Sequence, residues 1–269
     1  MSSEPLSMFW MLSPNVGDAL APWLVEKVTG HRPVYAAADA NYEHLIVGGS
    51  VLNWANEHTR AWGAGIASLS DQIHPLATIH AYQGPLSRLR AHTCGVKRPV
   101  DIYGDPALLL PKWLSPAPTK THKIGVAPHY IDMFAARRLF GHAGPDLLLI
   151  DMLGTVEEVV HQITSCEQVL SSALHGIIIA DAYGVPNAWC KITDLVGGDG
   201  TKFWDHYAAV RRTNLDEPPR FLDLRSEAMK DRKPPHVGEL EAMTKKLMGT
   251  GDLTTHDIAG RLWNSRPLP

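Results

Sequence analysis

The feature that most constrains this chain is an alternation. Short apolar runs give way to glycine-rich or polar loops, and these give way to stretches with helical spacing. Repeated along a chain, that order specifies parallel sheets crossed by helices. In the first half, strands are expected at 7–12, 33–37, 44–47, 60–62, 78–82 and 100–103. Helices are expected at 19–28 and 85–92. The segment 111–121, PKWLSPAPTKT, has three prolines and little periodicity, and reads as a linker. A second series follows, with strands at 123–127, 147–150, 168–170 and 188–191 and helices at 133–140, 155–164, 174–183 and 202–210. Residues 211–235 are charged and proline-rich with no clear element. Two amphipathic helices close the chain at 239–248 and 255–263. The division this predicts is a Rossmann-like domain over 1–115, a second over 120–235, and terminal helices over 236–269 that pack back on the body.

Composition excludes several classes. Apolar residues make up 45 % and charged residues 20 %, so a packed core is expected and global disorder is not. Lys plus Arg number 25 against 28 Asp plus Glu, a formal charge of -3. No basic stripe marks a nucleic-acid binder. The three cysteines, Cys94, Cys166 and Cys190, are widely spaced and form no Cys-x-x-Cys, which argues against a disulfide framework and a zinc site. No other metal-ligand spacing is visible. The N-terminal stretch has an acidic residue where a signal peptide wants basic ones, and no apolar run approaches a membrane span. These features predict a cytoplasmic protein.

In open parallel sheets, ligands bind beyond the carboxyl ends of the strands. Five polar or glycine-rich loops are expected there: Asn15-Val16-Gly17-Asp18, Gly48-Gly49-Ser50, Gly63-Ala64-Gly65, Gly104-Asp105-Pro106 and Ser171-Ser172-Ala173-Leu174-His175-Gly176. None matches a dinucleotide fingerprint or a P-loop. Together they suggest a composite site between the halves. The segment 168–191 is the most informative. It reads strand, polar turn, helix, Gly-x-Pro break, strand, and puts His175 in the first turn of the helix. A helix N-terminus disfavours the imidazolium and so favours a neutral acid–base catalyst. The plainer alternative is a satisfied polar residue at a helix start, since the chain has 14 histidines. Ser171 and Ser172 can cap that helix or donate to a phosphate. Asp18 can orient a hydroxyl or cap the first helix.

The ordered set NVGDAL (15–20), VGGSVLNW (47–54), WGAGI (62–66), QGPLSRLR (83–90), YGDPALLLP (103–111), IGVAPHYID (124–132) and SSALHGIIIADAYGVP (171–186) resembles the polysaccharide pyruvyl transferases. It is most similar to the short branch that makes pyruvate ketals on bacterial exopolysaccharides of the xanthan and succinoglycan type. The resemblance covers about residues 8–210.

That resemblance implies two Rossmann-like domains in a glycosyltransferase-B-like arrangement, with the site in the cleft between them. It implies phosphoenolpyruvate as donor and co-substrate, no separate cofactor, and a sugar acceptor carried on a lipid. His175 is the implied acid–base residue, with Asp18 beside it. Donor contacts fall to Ser171, Ser172, Lys202, Arg88, Gly49 and Ser50. Acceptor contacts fall to Asn15, Trp54, His129 and Tyr130; Trp54 and Trp62 can stack on a sugar face or, as tryptophans more often do, pack in the core. Relatives commonly carry arginine where this chain has Gln83. Lys191 is an alternative to Lys202 as the donor's cation. Peripheral contact with the inner membrane is also implied, and Lys245 and Lys246 can meet anionic lipid or simply form a solvated face. Two other readings stand beside this one. A nucleotide-sugar glycosyltransferase would use Asp194 or Asp199, and a non-catalytic saccharide binder would fit the loss of arginine at Gln83.

Overall fold

The strands are short and their middles are apolar on both faces, as a parallel sheet covered by helices demands. The computed structural model describes residues 6–97, 100–116, 119–142, 144–212, 216–221, 236–247 and 255–268. In the first half, β1 (Ser7–Phe9), β2 (Val34–Tyr35), β3 (His44–Val47), β4 (Thr59–Ala64) and β5 (Thr78–Tyr82) form one sheet in the order β2-β1-β3-β4-β5. In the second half, β6 (His122–Ala127), β7 (Leu147–Leu149), β8 (Cys166–Ser171) and β9 (Asn187–Trp189) form another in the order β7-β6-β8-β9. Every pairing within both sheets is parallel. The chain is therefore α/β with two parallel sheets.

The connecting helices are α1 (Val16–Thr29), α2 (Pro85–Thr93), α3 (Met133–Phe140), α4 (Val156–Thr164), α5 (Leu174–Ala182) and α6 (Thr201–Ala209), followed by α7 (Val237–Leu247) and α8 (Thr255–Ser265). Helix α1 starts three residues before its expected position. Asn15, not Asp18, is its cap: the Asn15 side chain accepts the Gly17 amide at 2.8 Å, so the polar loop is the helix's own first turn. The expected strand at 100–103 shrinks to a single bridge between Tyr82 and Tyr103. The stretch just before the expected linker is core, and of the linker itself Trp113 and Leu114 are half-buried against it. Pro106–Lys112 forms a 3-10 turn whose Leu108, Leu109 and Leu110 are buried against α1, α5 and α8. Residues 117 and 118 of that linker, and 213–215 and 222–235 of the charged stretch, lie outside the described residues.

One apolar cluster runs through both halves, from Met8, Leu20 and Leu24 through Leu108–Leu110 to Val169 and Ile177. Helix α5 is apolar all round, with Ile177, Ile178 and Ile179 fully buried, as a central helix should be. Polar bonds add to this join. Helix α2 begins at Gly84 with no side-chain cap of its own. Asp205 on α6 supplies one from the other half, accepting the Leu86 amide at 2.6 Å, the Ser87 amide at 3.2 Å and the Ser87 hydroxyl at 2.5 Å. The Val16 amide bonds the Met152 carbonyl at 2.9 Å. The terminal helices divide. Helix α7 packs on β6, β8 and β9, while α8 reaches the first half. There Trp62 is fully buried and its indole N–H donates to the Leu262 carbonyl at 3.1 Å. Trp62 is thus a core residue and presents no face to a sugar.

Candidate active site

The carboxyl ends of β3, β5, β6, β8 and β9 supply the loops that gather around His175. Its own turn is fixed by Ser171. That hydroxyl lies 2.8 Å from the Ala127 carbonyl and accepts the Ala173 amide at 3.0 Å, tying β6, β8 and the start of α5 together. Gly176 must lack a side chain here, because a Cβ would lie 2.3 Å from the Ser171 hydroxyl. Ser171 is fully buried and committed to the backbone, so it offers no contact to a donor.

His175 faces across the join. Its Nε2 lies 3.6 Å from Oδ2 of Asp105, and its side chain keeps 14 % exposure. Asp105 is held from several sides. It accepts the Gly49 amide at 2.9 Å, the Ala107 amide at 2.9 Å and Gln83 Nε2 at 3.1 Å. Burial pushes its pKa up, but His175 and the Ala107 and Gly49 amides outweigh that and hold it below the usual carboxylate range. An ionised carboxylate beside Nε2 favours the tautomer with the proton on that nitrogen. Nδ1 then becomes the nitrogen free to take or give a proton. It lies against the start of α1, where a Cβ on Gly17 would come within 2.4 Å of it.

Further ionisable groups share this electrostatic neighbourhood. Asp18 accepts bonds from the Ser13 hydroxyl and from Asn15 Nδ2, the latter at 2.5 Å. Burial raises its pKa, against the pull of Ser13, His175, Asn15 and Lys202. His129 is driven down to about 4 by burial and by the charges of Lys202 and His175, so it is neutral near pH 7. Burial also lowers the Lys202 ammonium, with Asp132 and Asp18 opposing. Asn15, Asp18, His129, His175 and Lys202 are therefore brought together. Tyr130 joins through His129, their ring centroids 4.6 Å apart.

Beside this cluster, at the carboxyl ends of β8 and β9, a pocket of about 200 Å³ is lined by Asp132, Ser172, Lys191, Thr193, Lys202 and the glycine loop around Gly198. Asp132 forms its buried floor. It accepts the Ser172 hydroxyl at 2.6 Å and the Thr193 hydroxyl at 2.5 Å, and burial raises its pKa. Both lysines named as the donor's cation thus line one pocket. Lys191 lies 5.2 Å over the Trp189 ring.

The remaining sequence candidates are placed differently. Arg88 turns to Asp101 at 2.9 Å, at the Tyr82–Tyr103 edge of the first sheet. The Gly49 amide is used by Asp105, while the buried Ser50 hydroxyl has no protein partner. Trp54 is 45 % exposed and its ring lies 6.0 Å from Phe9. Asp194 pairs with Arg220 at 3.2 Å, and Asp199 accepts Ser68 and Leu69 at 2.9 and 3.0 Å, so both carboxylates are already engaged by protein. The sequence leaves Asp105 open between a site residue and a turn residue at the domain edge, and does not mark Asp132. Asp105 had one signal, its place after a predicted strand in the loop Gly104-Asp105-Pro106.

The sequence profile of the polysaccharide pyruvyl transferases matches residues 84–193, a span that holds Asp105, Asp132, Ser172 and His175. A protein of Acanthamoeba polyphaga mimivirus, itself uncharacterised, is 28 % identical over 225 residues, covering 80 % of this chain and 77 % of its own. A solved structure of a functionally uncharacterised protein from Klebsiella pneumoniae is 9 % identical with a TM-score of 0.41, covering 80 % of this chain and 92 % of its own. The succinoglycan biosynthesis protein ExoV of Rhizobium meliloti is 30 % identical over 227 residues, 80 % of this chain and 67 % of that protein. The chain belongs to the polysaccharide pyruvyl transferase family.

Proposed function

We propose that this protein transfers pyruvate from phosphoenolpyruvate to a sugar of a bacterial exopolysaccharide repeat unit, forming a ketal and releasing phosphate. The observation that carries the reading is the His175–Asp105 pair: a partly open imidazole whose far nitrogen is held by a buried carboxylate. It rests also on kinship with a succinoglycan biosynthesis protein.

The reaction needs a proton on C3 of the enol, which makes C2 cation-like and open to attack. His175 supplies it from Nδ1 of the doubly protonated ring, with the Asp105 carboxylate beside Nε2 balancing the cation. Two sugar hydroxyls then bond to C2 and the C2–O bond to phosphate breaks. One hydroxyl proton replaces the one lost by His175, and the other leaves with phosphate or solvent. Asp18 orients or deprotonates an attacking hydroxyl. Lys202, with Ser50, holds the donor's anionic groups, and its partial burial strengthens that attraction. Neutral His129 and Tyr130 face the acceptor. In this reading the two sheets act as a glycosyltransferase-B-like pair with a lipid-linked acceptor entering between them.

The test is phosphate release from phosphoenolpyruvate with and without a panel of saccharide acceptors. Acceptor-dependent release, lost in a folded His175→Ala variant, is the expected result. No release with any acceptor, and no thermal shift from phosphoenolpyruvate, would remove the donor from the reading.

A further inference from the structure

A second hollow opens beside the cluster around His175. It lies between the halves, bounded by the loop after β1, by α1 and by the first turn of α4, and encloses about 690 Å³. Asp18 is among its lining residues, and the same carboxyl feels the charge of His175, so the groove opens onto the site already described. Its charge is opposite to that of the pocket beside Asp132. That pocket carries Lys191 and Lys202. Here the carboxyls of Asp18, Glu26 and Glu157 stand against the guanidinium of Arg32. A lining of this sign repels a phosphate or a carboxylate.

The apolar part of the lining is exposed. Leu12 stands 73 % in solvent with Met11 exposed beside it, and Trp10 and Trp23 are half-buried. Apolar surface left open in a groove marks a binding place. The two tryptophans differ. Trp23 is committed to the fold: its indole N–H donates to Glu157 at 2.8 Å across the halves, and Lys27 lies 5.1 Å over its ring. Trp10 packs at right angles to Tyr35, ring centroids 5.1 Å apart, and among the described residues no acceptor meets its indole N–H. An open indole with carboxylates around it fits a ligand that is neutral and rich in hydroxyls. The C–H face of a sugar ring packs on the aromatic, while its hydroxyls donate to carboxylates and accept from the indole N–H. From Asp18 to Glu26 the helix rises about 12 Å, further than one sugar ring spans.

We infer that this groove binds an uncharged stretch of a saccharide chain more than one ring long, with Trp10 as the stacking platform, Leu12 at its edge and Asp18 where the chain meets His175. Charge then divides the two hollows: the lysine pocket takes the anionic donor and the carboxylate groove takes the neutral sugar. That the bound chain receives pyruvate rests on the function proposed above; the binding itself does not.

The test is calorimetric titration of the full chain with neutral β-linked gluco- and galacto-oligosaccharides, from monosaccharide to hexasaccharide, and with an oligosaccharide of uronic acids. Wild type is expected to bind the neutral chains, more tightly as they lengthen, and the uronate chain more weakly. Trp10→Ala should weaken neutral binding roughly tenfold, and Trp10→Phe should restore most of it. Leu12→Ser changes a side chain already in solvent, so the melting temperature should hold while binding weakens about threefold. Equal binding by wild type, Trp10→Ala and Leu12→Ser, tighter binding of the uronate chain, or no binding of any neutral saccharide by wild type overturns the inference. Phosphate release from phosphoenolpyruvate is measured with the same saccharides. Binding without release counts against pyruvyl transfer and leaves the groove standing. Release whose KM for the saccharide is unchanged in Trp10→Ala counts against the groove and leaves pyruvyl transfer standing.

Discussion

Among the described residues, two histidine–aspartate pairs stand in contrasting settings. His206 Nε2 lies 2.7 Å from Asp181, and both side chains are wholly buried. Arg212 and Asn187 close on the same carboxylate, Asn187 at 2.6 Å, and Arg212 stacks 4.6 Å from the Tyr207 ring. Burial raises the Asp181 pKa, but Arg212 and His206 outweigh it and the acid stays below the usual range. His175 is less well bonded, at 3.6 Å, but its ring keeps an exposed edge. The better hydrogen bond is the structural one. It ties α5, α6 and β9 together and leaves no route for a substrate. Catalysis asks for the looser pair, because a reacting nitrogen needs a neighbour on one side and space on the other.

Removing each histidine separates the two roles. His175→Ala should lower acceptor-dependent phosphate release by about 10²–10⁴-fold, with a smaller loss of stability than at His206, since Asp105 keeps the Gly49 and Ala107 amides and Gln83 as donors. His206→Ala should do the reverse. It opens a cavity and leaves a buried acid short of one partner, which costs about 2–4 kcal/mol. Activity per folded molecule should stay within about twofold of wild type, as the pair lies outside the site. Denaturant unfolding and single-turnover assays on both variants check this, and a crossed outcome would exchange the roles assigned to the two pairs.

The comparison sharpens at Gly17. A methyl group there would sit 2.4 Å from His175 Nδ1, so the ring must turn away. The φ of Gly17 is not in the left-handed region, and the helix accepts alanine. Gly17→Ala should therefore fold, and lose about 10²-fold in rate through misplacement alone. An unchanged rate would mean that the ring has other room and that Nδ1 is not the working nitrogen. Among the described residues no glycine presses on His206 in this way, and the contrast makes the experiment specific to one pair.

Much of this was legible in the sequence, and the limit has a physical form. Strand β3 falls on its expected residues, and α5 within one, because local apolar pattern and turn chemistry decide them. His175 was legible for the same reason: a polar turn between a buried strand and a buried helix marks a site. Asp105 could be read only as a turn or a site residue, because its partners are distant in sequence, with Gln83 22 and Gly49 56 positions away. The Asp181–His206–Arg212 group left no signal at all, since nothing local distinguishes a buried acid in an apolar helix from a solvated one. The start of α1 was misplaced for a smaller reason. Two candidate caps stand three residues apart, and only geometry shows that Asn15 takes the amide while Asp18 turns to Ser13.

The smallest effect is the most diagnostic of how Asp105 works. Asp105→Asn keeps the shape and removes the charge opposite His175 Nε2. One end of the amide must then present N–H to the Gly49, Gln83 and His175 donors or to the Ala107 amide, at a cost of about 1–3 kcal/mol. The rate should fall about tenfold, less than for loss of the imidazole. The pH dependence gives the sign. Asp105 has a folded pKa below its ordinary 3.8. Its ionised form therefore adds stability that is fully present above about pH 4 and is lost as pH falls through the lowered value. Wild type should exceed Asp105→Asn in stability near pH 7, and the gap should narrow in acid. A gap that stayed constant from neutral pH into acid would show that the carboxylate is not held by charge. Asp105 would then act on His175 only by packing, and the two histidine–aspartate pairs would differ in exposure but not in kind.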